Sequence, residues 1–368
     1  MVSDDEPNPF HNQIVARLML AGVSPERIAD ASTGDELLSL IRATVLWGGE
    51  DMITIAELAE RAGVDIELCR RARMLLGLPD PGDEPLCREE EVKAFQGLAA
   101  GISVFGEEPV LQFARVIGSA MATIGEGALS VFARALGDGQ RPEAVGDDAY
   151  TLASFDSLEA FDVVPQVLSI LVKLQFDLAT DRLRVDPGQQ QTAAIGFVDL
   201  TSSTSIGEKL GTAGMAVAVS RFEERAVELA VTCGGRVVKF IGDEVMFVAP
   251  ELDQALDVAR GLLDHVAEDP SLKTARGGVA HGEVLSRDGD WFGPAVNLAK
   301  RLSEKAKANE VLFTGDRAAE IEGASMKGRR RYRGVSDKVE VWYWSGGAVE
   351  RAQRRGGDVV DGEGQVVE

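Results

Sequence analysis

The chain has 368 residues, 45% hydrophobic and 27% charged, the balance of a folded soluble protein and enough for two domains of ordinary size. Its net charge of −22 is uneven: residues 1–190 carry −17 of it and residues 191–368 the other −5. Like-charge repulsion therefore disfavours nucleic acid and anionic membranes as partners of the first half. Cys69, Cys87 and Cys233 form no CxxC pair and are too few for a disulfide framework, which suits a reducing cytoplasm. The opening Met-Val-Ser-Asp-Asp-Glu-Pro has no basic n-region and no apolar h-region, so no signal peptide is expected. No uninterrupted apolar stretch approaches the roughly 18–20 residues of a membrane span.

In chain order, the first half reads as successive helices. Glu91–Gly101, Pro109–Ile124 and Glu126–Leu136 are rich in Ala and Leu, with apolar residues every three to four positions. Thr54-x-x-Glu57 opens Ile55–Ala62 as a capping box and Gly63 supplies a stop, so 53–79 is predicted as helix, glycine turn, helix. In Ile55-Ala56-Glu57-Leu58-Ala59 and Leu76-Gly77-Leu78-Pro79 this hairpin resembles the helix-turn-helix of MerR-type regulators, with Arg70, Arg71 and Arg73 as candidate DNA readers. The acidic surroundings favour the plainer reading, a helical hairpin packed inside its domain. The segment from Val163 to Asp186 has helical period, with Val164, Val167, Leu168, Leu171, Leu174 and Leu178 on one broad face. It is expected as a linker helix, 163–190, after an all-helical domain at 1–162; a spacer and a lever both remain open. Asp186-Pro187-Gly188 then breaks the pattern.

Beyond that break the pattern changes. Thr192–Asp199 is a predicted strand, and Met215–Thr232 a long helix after a Gly-containing loop. Arg236–Phe240 and Val245–Ala249 are strands joined by the Gly242-Asp243-Glu244 hairpin. A helix at 251–267, a strand at 275–281, a helix at 294–308, a short strand at 310–313 and a strand pair near 328–344 complete one α/β layer domain, 191–345, with a single sheet. The tail at 346–368, rich in Gly and charge, is expected to be disordered.

Asp199 ends an apolar strand and Asp243 sits at a hairpin tip. Singly these are ordinary cap and turn residues. Together, two carboxylates on neighbouring strand ends suit a pair of divalent cations, the arrangement of phosphoryl transfer. Phe197-Val198-Asp199-Leu200-Thr201-Ser202-Ser203-Thr204, Val238-Lys239-Phe240-Ile241-Gly242-Asp243-Glu244, and the run from Asp290 to Arg301 through Asn297 together resemble a class III nucleotidyl cyclase. The resemblance covers roughly residues 190–345 and keeps the family's motif order. It implies a ferredoxin-like catalytic domain, a homodimer with shared sites, and ATP as substrate with Mg²⁺ or Mn²⁺, two ions per site. Carried over by position, Asp199 and Asp243 bind metal with the Leu200 carbonyl, Lys239 and Asp290 read the adenine, and Asn297 and Arg301 serve the transition state. One protomer supplies the metals and the other supplies Lys239, Asp290, Asn297 and Arg301. The family's phosphate-gripping base near the last strands has several claimants here: Arg329, Arg330, Arg331, Arg333 and Lys338.

The two-domain layout resembles the soluble pH-responsive cyclases of mycobacteria. That resemblance implies an acidic N-terminal domain which restrains catalysis, responds to acidification, and holds a fatty acid in a chamber formed by Leu98–Leu136. Two rival readings stand beside it. A diguanylate cyclase shares the Gly-Asp-Glu hairpin, but Ile241 occupies the place of that family's first glycine. An acidic DNA-binding sensor with a non-catalytic cyclase fold would explain the MerR-like hairpin and leave the six motif residues unexplained.

Overall fold

The computed structural model describes residues 9–135, 147–182, 191–201, 203–332 and 338–345. The predicted tail, the 183–190 joint and Arg333 lie outside them. The chain divides into two compact units, Met1–Arg182 and Leu183–Glu368.

The first unit contains α1 (Pro9–Leu20), α2 (Pro25–Asp30), α3 (Gly34–Trp47), β1 (Met52–Ile53), α4 (Ile55–Ala62), α5 (Ile66–Leu75), β2 (Cys87–Arg88), α6 (Glu91–Phe105), α7 (Glu107–Ala135), α8 (Asp147–Phe161) and α9 (Val163–Arg182). Capping fixes the helix starts. Thr33 with Glu36 and Thr54 with Glu57 both close reciprocal boxes, and Gly63 ends α4 in the left-handed region at φ 70°. Two small cores form. Ile14, Leu18, Leu40, Ile41 and Phe155 make one, and Leu58, Cys69, Ala72, Phe95 and Leu111 are in the other. Burial pushes the Cys69 thiol up to about 11 and raises that of Cys87 as well, so both stay protonated.

Two expectations change here. The domain predicted as all-helical carries a two-residue antiparallel ladder, Met52↔Arg88 and Ile53↔Cys87, too short to leave an alternating signal. The helices predicted at 109–124 and 126–136 are one helix, α7. The stretches Glu107–Arg134 and Asp148–Thr180 are long and apolar enough, by length and composition, to cross a membrane. Scattered Ser, Thr, Gly and charged residues interrupt the linear run there, and Asp148–Thr180 spans α8 and α9 across Asp162.

The MerR-like hairpin forms as α4–α5, but its arginines are engaged within the unit. Arg70 pairs with Asp80 and Asp83, Arg71 with Glu107 and Glu108, and Arg73 with Glu91 and the Pro79 carbonyl. Arg73 is buried. Reading DNA with these side chains would require breaking those pairs, so the plainer reading stands.

The second unit contains β3 (Gln191–Thr201), α10 (Ser203–Thr232, kinked at Gly211), β4 (Arg236–Ile241), β5 (Glu244–Ala249), α11 (Leu252–Glu268), β6 (Thr274–Arg287), β7 (Asp290–Phe292), α12 (Pro294–Lys305), β8 (Glu310–Thr314), β9 (Ser325–Arg330) and β10 (Val339–Ser345). The sheet order is β4-β5-β3-β6-β8-β10-β9, with β7 folded back on β6. The run β3–α10–β4–β5–α11–β6 is the β-α-β-β-α-β order of a ferredoxin-like unit. Alternation along β3 sends Ala194, Val198 and Leu200 to the α10–α11 face, and Ala193, Ile195 and Phe197 to the α12 face. Helix α12 lies on β6 at Gly278, where an added Cβ would stand 2.1 Å from the Ser303 nitrogen and 2.3 Å from the Ala299 carbonyl oxygen.

Because that approach is backbone to backbone, no rotamer change relieves it. Gly278→Ala is expected to destabilise the second unit by about 1–3 kcal/mol, lowering Tm by about 2–10 °C, as measured by thermal denaturation of the purified protein.

Candidate active site

Strand β3 sits centrally and carries the first motif to its C-terminal end. Its ladders pair Asp199 with Glu244 of β5 on one side and with Arg276 of β6 on the other. The Leu200 N–H donates to the Asp243 carbonyl at 3.3 Å, tying the strand end to the hairpin tip. Asp199 and Asp243 thus share one end of the sheet. Glu244, the cross-strand partner of Asp199, leaves the same face of the sheet and reaches into the α12 layer, where Lys300 donates to its two oxygens at 2.8 and 2.6 Å.

The Asp199 carboxylate is held by Arg276, whose Nε and Nη2 donate to Oδ2 at 3.0 and 2.8 Å. Arg276 Nη1 donates to the Glu304 carbonyl at the end of α12. Sequence reasoning missed Arg276; its signal is its register opposite Asp199. Among the described residues, no three His, Cys, Asp or Glu side chains are grouped to hold a metal. What the strand ends offer is two half-exposed carboxylates and the Leu200 carbonyl, hard oxygen donors of the kind Mg²⁺ takes when phosphate oxygens and water complete its shell.

Lys239 and Asp290 are 51 positions apart and meet directly, Nζ to Oδ2 at 2.5 Å. Two devices bring them together. A bulge between Val237 and Lys239 re-aims the edge strand β4. Asp288 (φ 56°) and Gly289 (φ 80°) form a two-residue turn that folds β7 back on β6 and presents Asp290. Arg236 Nη2 donates to the Gly289 carbonyl at 3.0 Å and ties the two devices together. The Asp288-Gly289 dipeptide is a hairpin signature that the sequence reading passed over. Burial pushes the Asp290 carboxyl up, but hydrogen bonds from Lys239 and the Trp291 N–H, with the charges of Lys239 and Arg236, outweigh it and hold it below the ordinary aspartate value.

Asn297 and Arg301 lie one turn apart on α12 and share a face. Asn297 is exposed, whereas Arg301 keeps one guanidinium nitrogen, Nη1, buried with no hydrogen-bond partner among the described residues. A buried donor left unpaired by the fold is costly, and an anionic group is its natural partner. Of the basic claimants near the last strands, Arg329 is paired with Glu340 across the β9–β10 ladder. Arg330, Arg331 and Lys338 are exposed.

No family model matches the chain. An uncharacterized protein of Mycobacterium tuberculosis is 30% identical over 298 residues, covering 79% of this chain and 78% of its own length. A pH-sensitive adenylate cyclase of Mycobacterium tuberculosis is 27% identical over 360 residues, covering 90% of this chain and 86% of its own. The chain belongs to the class III nucleotidyl cyclases. Among solved structures, the adenylyl cyclase CyaB of P. aeruginosa is 20% identical, covering 43% of this chain and 95% of its own at a TM-score of 0.38.

In this cyclase the Lys239–Asp290 pair is the contact with a defined pH signature. A carboxyl lowered in the folded state keeps its interactions above its unfolded pKa and loses them as pH falls through its folded one. Between about pH 5.5 and 8 the Asp290 carboxylate therefore stays ionised. Asp290→Asn is expected to lower kcat/KM for ATP by about 10- to 100-fold while leaving the shape of the pH–rate profile in that window unchanged, as read by steady-state kinetics.

Proposed function

We propose that this cyclase converts ATP to 3′,5′-cyclic AMP and pyrophosphate at two sites shared across a homodimer in the cytoplasm. The observation that carries the reading is the Lys239–Asp290 pair. A lysine donates to adenine N1 and an aspartate accepts from the 6-amino group, whereas guanine presents the reverse pattern. Asp199 and Asp243, with the Leu200 carbonyl, would hold two Mg²⁺ or Mn²⁺ ions, which supply Lewis-acid activation of the 3′-hydroxyl and charge neutralisation at the phosphates. Arg301 donates its fork to the charge that builds on the α-phosphoryl oxygens, and its unpaired Nη1 suits that task. Asn297, exposed on the same helix face, orients the ribose. Arg276, already beside Asp199, adds positive charge where the triphosphate would lie.

The pH-sensitive relative supports a regulatory reading of the first unit, in which it restrains the cyclase and acidification releases it. The charges that respond differ from the sequence expectation. The first-unit carboxyls with resolved shifts are all lowered: Glu36 and Glu57 by their capping hydrogen bonds, and Glu50 by Arg27. Burial raises Glu223 and Asp257 in the cyclase unit instead. For the fatty acid we propose a cavity of about 360 Å³ lined by Leu38 and Arg42 of α3, Leu129 and Phe132 of α7, and Leu158 and Phe161 of α8. The Leu98–Leu136 run supplies one wall of it, and Arg42 offers a cation for the carboxylate.

Purified protein is expected to turn over ATP faster than GTP with either metal; the reverse preference would sink the base-reading argument. Asp199→Ala and Arg301→Ala should each lower activity at least about 100-fold, since each removes one component from both sites. Mixing them should restore activity through heterodimers with one intact site, and no recovery despite proven subunit exchange would count against sharing. A 187–368 fragment is expected to be more active near neutral pH than the full chain and to lose any response to added long-chain fatty acid. Equal specific activities and parallel profiles from about pH 5.5 to 8 would remove the regulatory reading.

A further inference from the structure

Beside the two aspartates lies a third carboxylate to which no role has been given. Glu244 follows Asp243 directly, opposes Asp199 in the β3–β5 ladder, and is 4% exposed. A buried carboxylate next to a site that must gather negative charge is costly unless it is fully paired. It is fully paired. Lys300 Nζ reaches both oxygens, and the Ser303 hydroxyl, itself buried, donates to Oε1 at 3.2 Å. The Lys300 ammonium also stands over the Phe197 ring, 5.7 Å from its centroid, two residues before Asp199. Both Glu244 oxygens are thus engaged inside the sheet–helix layer.

The two donors sit three positions apart on α12, so together they fix the rotation of that helix about its axis as well as its distance from the sheet. The neighbouring face carries Asn297 and Arg301. Rotating or sliding α12 to re-aim Arg301 would pull Lys300 and Ser303 off a buried charge. We infer that the Glu244–Lys300–Ser303 bridge is a positioning device: it sets the angle at which Asn297 and Arg301 leave the sheet, relative to the strand ends bearing Asp199 and Asp243. The inference rests on the cyclase reading above and deepens it. In a dimer with shared sites, the aspartates of one protomer serve one site while its Asn297 and Arg301 serve the other. The bridge then holds the parts of both sites in a common frame within each chain. Purely structural ion pairs behave differently: replacing both partners together restores stability and changes nothing else.

The test is a double-variant cycle in the full chain, with Glu244→Gln, Lys300→Met and the two combined. Rates of cyclic AMP formation from ATP and Tm are measured for each. Each single variant is expected to lower kcat by about 10- to 100-fold, the cost of displacing a catalytic group by about an ångström, with KM for ATP changed by less than about threefold. In the double variant Tm should recover towards that of the wild type while kcat stays low, and the rate losses should not multiply. Lys300→Arg, which keeps a charged donor reaching both oxygens from a half-exposed position, should return kcat to within about threefold of wild type. A double variant with wild-type kcat, or single variants that raise KM at constant kcat, would overturn the positioning role. Wild-type protein that makes no cyclic AMP would overturn the cyclase reading, and the inference with it; an active wild type with indifferent bridge variants overturns the bridge alone.

Discussion

The second unit is organised by the register of its central strand. With β3 paired to β5 and β6, Asp199 stands between Glu244 and Arg276, and the strand end is tied to the hairpin tip through Leu200 and Asp243. A one-residue slip of β3 would send Asp199 to the opposite face and away from Glu244 and Arg276. That register is pinned by the alternation of β3, whose two sets of side chains enter different cores. The chemistry at the strand end therefore depends on apolar residues several positions away.

Charge is handled locally throughout this chain. Asp199 faces Arg276, Glu244 faces Lys300, Asp290 faces Lys239, and Glu310 faces Lys327. Pairing lets these four carboxylates sit near a site for an anionic substrate without a large folding penalty, because each is matched before any ligand arrives. Arg301 is the contrast, with one buried nitrogen that no described residue satisfies.

The first unit shows the same economy with a different outcome. Its helix-turn-helix has the outline of a DNA reader, yet Arg70, Arg71 and Arg73 are all drawn into acidic partners of the same unit. The net charge of the first half is large, but its resolved carboxyl shifts are downward, the mark of groups stabilised in their ionised form. Net charge alone therefore does not locate a proton sensor. The carboxyls raised by burial, Glu223 and Asp257, belong to the other unit.

The sequence by itself marked most of the elements and named the candidate site residues. Capping boxes, glycine stops and a change of period marked helices and strands, because those signals are local and cost or stabilise each segment on its own. Resemblance to the class III cyclase motifs singled out Asp199, Lys239, Asp243, Asp290, Asn297 and Arg301 as candidates. The two-residue β1–β2 ladder was invisible, since two residues carry no period. So were Arg276 and the Glu244–Lys300–Ser303 bridge, because neither has a pattern along the chain. Arg276 becomes the partner of Asp199 through strand register, and Lys300 meets Glu244 because Gly278 lets α12 lie against the sheet. Contacts between residues dozens of positions apart are decided by register and helix approach, which only the packed tertiary structure specifies.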